Sequence, residues 1–449
     1  MKKAPLNEIA RLLIDRGYFA LLTFRHTDSV KGDWMYYNGI CWQADCEKRH
    51  EIALKRFFDD HKMLKPTDKD YVSDLGKFGS CHLWNNLLRI LRTEPEISRV
   101  QEDYDGKMNL LNMENGTYNL DTEEFQEHRA QDMLTKVMGA KYDENSECPT
   151  LNRFINEVLC GDGDVIDYVQ KYLGYSMSPS TEEQCLLFLF GTGANGKSVF
   201  TELFLRIAGD YGKKISTQGI IKSRSSSEMD RKEQIKSDMA NVRLVFATET
   251  SQNMKLDESA IKDMTGCDTV SSRALYGDYK SYTPAYKFLM EGNYKPIIQG
   301  TDHGIWRRIR LVKFGRTFTE EEIDRNLLSK LLVERDGILR WMLAGYKRWK
   351  QEGLGKPPES MQLEIDEYRS EMDILGQYIE EMLEQKEGGR TEIHKIYESY
   401  LTWLESNGYT GKLKKRKLTS ELMRRGYIRD NSDIHHPFFN GIELLTANQ

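Results

Sequence analysis

The chain has 449 residues, a formal net charge of -6 at pH 7 and 30 % charged residues. Because ordinary domains contain roughly 100–200 residues, this length predicts about two to four domains, each able to bury a core. The slightly acidic balance excludes a general electrostatic attraction to nucleic acid, so any such contact must come from local basic clusters.

The cysteines and the apolar segments indicate in which cellular compartment the protein works. The seven cysteines are scattered and include no CxxC pair, which argues against a disulfide framework and for a reducing compartment. The N-terminus lacks the apolar stretch of a secretion signal, and no window approaches the roughly 18 apolar residues of a membrane-spanning helix. We therefore expect a cytoplasmic protein without membrane contact.

The N-terminal part mixes two kinds of pattern. Residues 1–145 alternate helical periodicity with short aromatic segments that are typical of strands. A hairpin is indicated where residues 108–113 are followed by Glu114-Asn115-Gly116 and then by residues 117–120, because Asn-Gly readily adopts the positive φ angles of a tight turn. The sequence predicts an α+β domain here.

A short helical segment follows. Between residues 151 and 175 apolar side chains recur at helical spacing, and the sequence Gly161-Asp162-Gly163 interrupts the pattern. Two helices are therefore predicted within residues 146–180, which form a helical collar or linker before the next domain.

A glycine-rich loop comes next. The apolar run 185–190 predicts a strand covered on both faces, and a GxxxxGK[ST] motif and a helical pattern follow it directly. In such a loop backbone N–H groups surround phosphate oxygens, Lys197 reaches the β and γ phosphates, and Ser198 ligates Mg²⁺. ATP and Mg²⁺ are therefore the predicted cofactors. The residues predicted to bind ATP are Gly191, Thr192, Gly193, Ala194, Asn195, Gly196, Lys197 and Ser198.

Three more apolar segments, residues 243–247, 287–290 and 309–314, predict further strands of an α/β core over residues 181–318. The polar residues that end these strands would face the nucleotide.

An ATP-hydrolysing motor also needs an acidic group at the tip of a neighbouring strand, to hold Mg²⁺ and to polarise the attacking water. Glu249 follows the strand at 243–247 and is predicted to take this role, with Asp257 and Glu258 as alternatives. Many motor ATPases carry two adjacent acids at this place, whereas this chain has Thr248-Glu249. Whether Glu249 serves both metal and water is therefore open.

The C-terminal part reads as a helical region, residues 319–386, and a small module, residues 387–449. In the module two helices precede extended segments, the order found in a winged helix. Its second helix lies in a basic cluster and would face DNA in such a module, or else contact a partner protein. The basic residues predicted to bind DNA are Lys414, Lys415, Arg416 and Lys417.

The order of motifs over residues 100–315 resembles the superfamily 3 helicases, and among them the phage, plasmid and poxvirus type that often accompanies a primase. The resemblance implies an AAA+-like P-loop core. The segments that carry it are the phosphate loop and residues 247–250, 256–268, 273–277, 287–296 and 302–309.

The resemblance also implies roles for single residues. Asn293 matches the asparagine that senses the γ-phosphate in this family. Arg308 matches the arginine finger that reaches the ATP of a neighbouring subunit, with Arg307 as the alternative. A surface role would be the default for an Arg-Arg pair, but its position between Asn293 and a core strand favours the finger.

Residues 270–275 and 280–283 predict a hairpin, which this family uses to grip DNA in a central channel. A lysine near the tip can follow successive phosphates, so Lys280 is the expected contact, supported by Arg273 and Tyr276. The alternative is a loop that faces solvent.

Together these features predict an ATP-dependent replicative DNA helicase of a phage, plasmid or other mobile genetic element, in the cytoplasm of a bacterial host. The resemblance implies a ring, a hexamer, that moves from 3′ to 5′ along a single strand of a forked or origin duplex, with a primase as a possible partner. No primer synthesis is predicted, because Asp59, Asp60, Asp68 and Asp70 lie in polar, loop-like sequence.

Two other functions compete. An origin-binding replication initiator would use ATP only to assemble on duplex DNA, without processive unwinding. A metabolic P-loop kinase would need a small-molecule acceptor site and a lid, and the spacing from Asn293 to Arg308 speaks against it.

Overall fold

The computed structural model describes residues 6–26, 32–62, 81–217, 220–222, 226–250, 254–273, 279–298, 303–409, 412–432 and 436–445. The chain divides into two compact units, Met1–Gln362 and Leu363–Gln449. None of the helices in these described ranges is long and apolar enough to cross a membrane.

The first unit begins with a four-stranded sheet of order β3-β2-β1-β4 and three helices. Helix α1 buries Ile9, Ala10 and Leu13, one stripe at helical spacing, in the same apolar core as Trp34 and Phe57. The elements are α1 (Leu6–Asp15), β1 (Leu22–Arg25), β2 (Asp33–Tyr37), β3 (Trp42–Ala44), α2 (Arg49–Lys62), α3 (Cys81–Leu91) and β4 (Ser98–Arg99).

The predicted hairpin is confirmed as β5 (Leu110–Met113) and β6 (Gly116–Asn119), which β7 (Phe125–Gln126) extends to three strands. The expected positive φ angles at Asn115 and Gly116 are wrong, since neither residue is among those with positive φ. Glycine is needed at 116 for a different reason. A Cβ there would lie 2.4 Å from the Phe125 ring and 2.6 Å from the Gln126 carbonyl oxygen, so only glycine lets β7 approach.

The two predicted helices of the collar are α4 (Pro149–Val158) and α5 (Gly163–Tyr175). Asp162 lies in the break between them and caps α5, because its side chain accepts a hydrogen bond from the Val165 amide at 3.1 Å.

The central sheet of the first unit is parallel and five-stranded, of order β14-β8-β13-β10-β9. The sequence predicted four of its strands, β8 (Leu186–Phe190), β10 (Leu244–Thr250), β13 (Lys287–Gly292) and β14 (Ile309–Lys313). The edge strand β9 (Gly212–Ser216) was missed, because its Lys-rich sequence has only one buried hydrophobic residue, Ile215.

The remaining elements around this sheet are mostly helices. The predicted hairpin is present as β11 (Val270–Arg273) and β12 (Tyr279–Tyr282), which pair antiparallel. The helices are α6 (Lys197–Ala208), α7 (Ser226–Asp238), α8 (Glu258–Thr265), α9 (His303–Trp306), α10 (Leu327–Val333) and α11 (Arg335–Glu352). Helix α12 (Glu359–Met372) spans the boundary between the two units.

Helix α11 packs closely on α5. Gly174 and Gly345 allow this approach, since a Cβ on Gly174 would lie 2.0 Å from the Tyr346 amide nitrogen. The central strands, the collar helices and α11 share one apolar core, which includes Leu187, Phe246 and Ile338.

The second unit has its own core, formed by residues such as Tyr378, Ile396 and Phe439. Its three strands form an antiparallel sheet of order β15-β17-β16. The elements are α13 (Ile374–Met382), β15 (Leu383–Glu392), α14 (Ile393–Ser406), α15 (Lys415–Arg424), β16 (Ile428–Asp430) and β17 (Phe438–Leu444).

Candidate phosphate-binding site

The glycine-rich loop joins the end of β8 to the start of α6. In the sheet, β8 lies between β14 and β13. Gly193 has φ +110° and Gly196 has φ +85°, a region that L side chains rarely adopt. Gly191 is required by space, since a Cβ there would lie 2.8 Å from the Phe314 carbonyl oxygen. The loop conformation therefore depends on its three glycines.

Residues after β14 hold the loop in place. The Phe318 amide donates to the Ala194 carbonyl oxygen at 2.8 Å, and the buried Asn195 donates through Nδ2 to the Phe314 carbonyl oxygen at 3.4 Å. On the side of α4, Gly196 lies so close to Phe154 that a Cβ would come within 2.9 Å of the ring. The loop is thus a preformed cradle rather than a free connection.

Lys197 is the first residue of α6, and only 6 % of its surface is exposed. Its Nζ donates to the Gly191 carbonyl oxygen and to Asn195 Oδ1, each at 2.8 Å. Burial lowers the pKa of Lys197, and the carboxylate of Glu291 opposes this shift. The next residue, Ser198, is exposed at the helix N-terminus, where backbone N–H groups favour a bound anion.

Glu291 is a site residue that sequence reasoning missed. Its Oε2 accepts a hydrogen bond from the Thr201 hydroxyl at 2.9 Å, so the end of β13 is tied to the first turns of α6. The signal in the sequence was its position two residues before Asn293, since residues i and i+2 of a strand point to the same face.

Glu249 and Asn293 both lie at the carboxyl edge of the sheet. Glu249 is the last residue but one of β10. The last residue, Thr250, pairs with Gly292 of β13, and the exposed Asn293 follows Gly292 directly. The side chain of Glu249 lies outside the described residues. The alternative acid Asp257 has a structural role, because it caps α8 at the Ala260 amide and accepts from Lys232 Nζ at 2.7 Å.

The two neighbouring arginines differ in environment. Arg308 is 9 % exposed and donates from Nε to Thr265 Oγ1 at 3.1 Å and from Nη1 to the Gly304 carbonyl oxygen at 2.7 Å. Arg307 is exposed, and its Nη2 donates to Gln184 Oε1 at 2.8 Å. Of the two, Arg307 is the one whose guanidinium lies at the surface of this chain.

Of the residues expected to contact DNA, those of the second unit lie within the described part of the chain and those of the hairpin lie largely outside it. In the hairpin, β12 brings Lys280 opposite Ser272, but the side chains of Lys280 and Arg273 and the whole of Tyr276 lie outside the described residues. In the second unit, α15 and the residue before it carry four exposed cations, which we name the basic helix face. These are Lys414, Lys415, Arg416 and Lys417.

The polar groups at the loop suit a metal ion that phosphates help to hold. Within the described ranges, no cluster of three or more His, Cys, Asp or Glu residues could hold a metal ion by itself. Mg²⁺ is commonly bound by one or two protein groups together with substrate phosphates, and the exposed hydroxyl of Ser198 fits that mode.

The loop, its buried lysine and the parallel sheet define a P-loop α/β protein. Three family models match successive parts of the chain. Residues 23–160 match a family described as D5 N terminal like, residues 189–308 match a family of unknown function (DUF5906), and residues 370–428 match a family described as Poxvirus D5 protein-like. These matches confirm the resemblance to the primase-associated superfamily 3 helicases that the motifs indicated.

Relatives from large DNA viruses agree with this. A protein of Acanthamoeba polyphaga mimivirus named "Putative helicase" is 26 % identical over 68 % of this chain and 33 % of its own length. A "Putative helicase" of Frog virus 3 is 26 % identical over 52 % of this chain and 26 % of its own. A "Putative primase" of African swine fever virus is 23 % identical over 59 % of this chain and 29 % of its own. The chain spans about a third or less of these relatives.

A solved structure of the C-terminal region of NrS-1, without ligand, aligns with 98 % of this chain and 100 % of its own, at 9 % identity and a TM-score of 0.49. A second one covers 80 % of this chain and 74 % of its own, at 11 % identity and a TM-score of 0.47.

Proposed function

We propose that this chain is the ATP-dependent motor of a replicative DNA helicase from a virus, phage or other mobile genetic element. The observation that carries the proposal is the phosphate loop, whose buried Lys197 lies at the start of α6 and at the carboxyl edge of a parallel sheet. Ligands bind at this edge in open α/β sheets. The helicase and primase names of its relatives supply the substrate, DNA.

Each residue of the site has a proposed task. The loop amides and Lys197 hold the β and γ phosphates, and Ser198 and Glu249 hold Mg²⁺, which when bound neutralises charge on the transferring phosphoryl group. Glu249 also polarises the attacking water. Asn293, exposed after β13, orients that water without adding a charge.

We further propose that ATP binds between subunits of a ring, a hexamer, because the family uses an arginine finger supplied by a neighbour. Arg308 was the finger expected from the sequence, but its guanidinium is buried and bonded within its own chain. A finger must reach out of its subunit, so the exposure of Arg307 supports Arg307 in this role and Arg308 as its support.

Two DNA contacts are proposed. The β11–β12 hairpin, with Lys280, Arg273 and Tyr276, would hold the translocating strand in the central channel. The second unit would act as a winged-helix-like module whose basic helix face binds duplex DNA. Support for the second contact is the three-stranded antiparallel sheet that packs with α13 to α15 around one core, together with the exposure of all four cations.

The test is unwinding of a forked duplex by the wild-type protein and by Lys197→Ala, with ATP hydrolysis measured in the same samples with and without single-stranded DNA. We expect DNA-stimulated hydrolysis and strand separation in the wild type and neither in the variant. Hydrolysis that DNA does not stimulate would contradict a helicase and would favour a metabolic kinase.

A second candidate function, that of a replication initiator, is supported by one observation, the basic helix face. A replication initiator would bind an origin duplex through this surface and use ATP to assemble there. Footprinting on duplex DNA that depends on residues 414–417, without strand separation in the unwinding assay, would replace the helicase proposal by this one.

A further inference from the structure

The chain has a single acid at the tip of β10, Glu249, where many motor ATPases have two. A second carboxylate approaches the phosphate loop from the neighbouring strand, β13, through Glu291. It is half-buried, and its partner on α6 is Thr201, one turn after Lys197.

The hydrogen bond fixes where this carboxylate lies. Thr201 Oγ1 is 2.9 Å from Glu291 Oε2, 3.2 Å from the Lys197 carbonyl oxygen and 3.3 Å from the Ser198 carbonyl oxygen. A hydroxyl has one hydrogen to donate, and a carboxylate is a stronger acceptor than an amide carbonyl. The negative charge therefore lies beside the first turn of α6, next to the residues that would bind phosphates and metal.

The charge of Glu291 acts on that site. Burial lowers the pKa of Lys197, and the negative charge of Glu291 opposes this shift. The same negative charge must repel a phosphate that enters the loop, and this repulsion is larger in a partly buried site than in water. A divalent cation that enters with the phosphates would offset it.

We propose that Glu291 makes nucleotide binding depend on a divalent cation, by disfavouring metal-free ATP in the phosphate loop while tolerating Mg·ATP. The inference rests on the proposed nucleotide site and names a positioning residue of it. Its task is to ensure that the bound nucleotide is the metal complex that can be hydrolysed.

The experiment measures the affinity of the full chain for the slowly hydrolysed analogue ATPγS by calorimetry, once in Mg²⁺ and once in EDTA. In Glu291→Gln the amide oxygen can still accept from Thr201, but the charge is gone. Removing one charge at short range in a site of intermediate dielectric should tighten metal-free binding on the order of tenfold. Binding of the Mg²⁺ complex should change by less than about threefold, so the ratio of the two dissociation constants falls about tenfold.

Thr201→Val is the matched control, because it removes the hydrogen bond between β13 and α6 and keeps the charge. If Glu291 only braces the helix, Thr201→Val will weaken both forms of nucleotide equally, Glu291→Gln will change neither, and the ratio will stay unchanged in both variants, which overturns the inference. Melting curves establish that each variant is folded. Should Glu291→Gln be unfolded, Glu291→Asp, which withdraws the carboxylate by one methylene, must lower the ratio by a smaller factor.

The outcomes separate the two proposals. A wild-type chain that binds ATPγS in neither condition overturns the nucleotide site and the inference with it. A wild-type chain that binds equally well with and without Mg²⁺ overturns only the role of Glu291.

Discussion

Arg308 Nε lies 3.1 Å from the hydroxyl oxygen of Thr265, the last residue of α8, and donates a hydrogen bond to it. Because Arg308 directly precedes β14, this bond links α8 to the start of an edge strand of the central sheet. The buried guanidinium is therefore part of the fold of this subunit, whereas its neighbour Arg307 is exposed at the surface.

Replacing Arg308 should lower the stability of the fold, whereas replacing Arg307 should lower the rate of ATP hydrolysis. Arg308→Ala leaves the Thr265 hydroxyl and the Gly304 carbonyl without a charged donor, so we expect a loss of about 2–3 kcal/mol in the free energy of unfolding. Arg307→Ala should change stability by less than about 0.5 kcal/mol. It should nevertheless lower ATP hydrolysis on the order of 10³-fold.

Urea unfolding and steady-state hydrolysis measure the two effects. Thr265→Val is the control, since it removes one hydrogen-bond acceptor of Arg308 and leaves both arginines in place. Full hydrolysis by Arg307→Ala at wild-type stability would remove Arg307 from the finger role.

Lys197→Ala should abolish the stabilisation that ATP gives to the folded protein. A ligand that binds only the native state at about 100 times its dissociation constant stabilises it by roughly 2.7 kcal/mol, and the variant lacks the charge that holds the phosphates. The measurement is the shift in melting temperature on addition of Mg·ATP. Lys171→Ala is the control, because it removes a cation of collar helix α5 that pairs with Glu352 of α11. This variant should retain the full shift in melting temperature.

Two loop glycines provide a matched pair. Gly193 and Gly196 both have positive φ, but nothing lies within 4 Å of a Cβ at 193, whereas a Cβ at 196 meets the Phe154 ring at 2.9 Å. Gly193→Ala should therefore cost only the backbone strain of about 1–2 kcal/mol. Gly196→Ala should cost a further 1–3 kcal/mol or so from overpacking. Equal melting temperatures for the two variants would mean that Phe154 moves away freely.

The buried Lys287 should make stability depend on pH. Its Nζ donates to the carbonyl oxygens of Ser178 and Ala285 and lies 4.6 Å from the centre of the Tyr175 ring. Burial, and then the nearby charge of Arg243, lower its pKa well below 10.5 in the folded state. The folded chain thus binds this proton more weakly than the unfolded chain, so stability rises with pH from the folded pKa up to about 10.5.

Lys287→Met should remove this dependence. Within that window the free energy of unfolding of the wild type should rise relative to that of the variant as the pH increases. The gain should be at most about 1.4 kcal/mol per pH unit. Denaturant unfolding at several pH values up to about 10 tests this, and parallel curves for the two proteins would show that Lys287 keeps its proton when folded.

The basic helix face should set the salt dependence of duplex binding. Replacing Arg416 and Lys417 by Ala removes two cations, so the slope of log K against log salt should fall by about 1.8 if both contact phosphates. Lys395→Ala is the control, because that lysine on α14 forms an ion pair with Glu392. Fluorescence anisotropy over a range of salt measures the slope, and an unchanged slope would place the duplex elsewhere.

The phosphate loop and most strands of the central sheet could be predicted from the sequence, because the patterns that indicate them lie within short segments of the chain. The strand β8, the loop and the start of α6 follow one another in the chain, so the glycines that allow the turn and Lys197 were recognised together. The strands β10, β13 and β14 were predicted because a parallel sheet buried on both faces requires continuous apolar runs.

Only the tertiary structure decided which side chains meet across the fold. Glu291 looked like an ordinary strand residue, and its place beside α6 depends on β13 pairing with β8, a contact between residues about a hundred positions apart. In the same way, the sequence placed Arg307 and Arg308 side by side, and only packing against α8 exposes one and buries the other. Local sequence determines which conformations a segment can adopt, but burial and charge pairing depend on what the rest of the chain brings next to it.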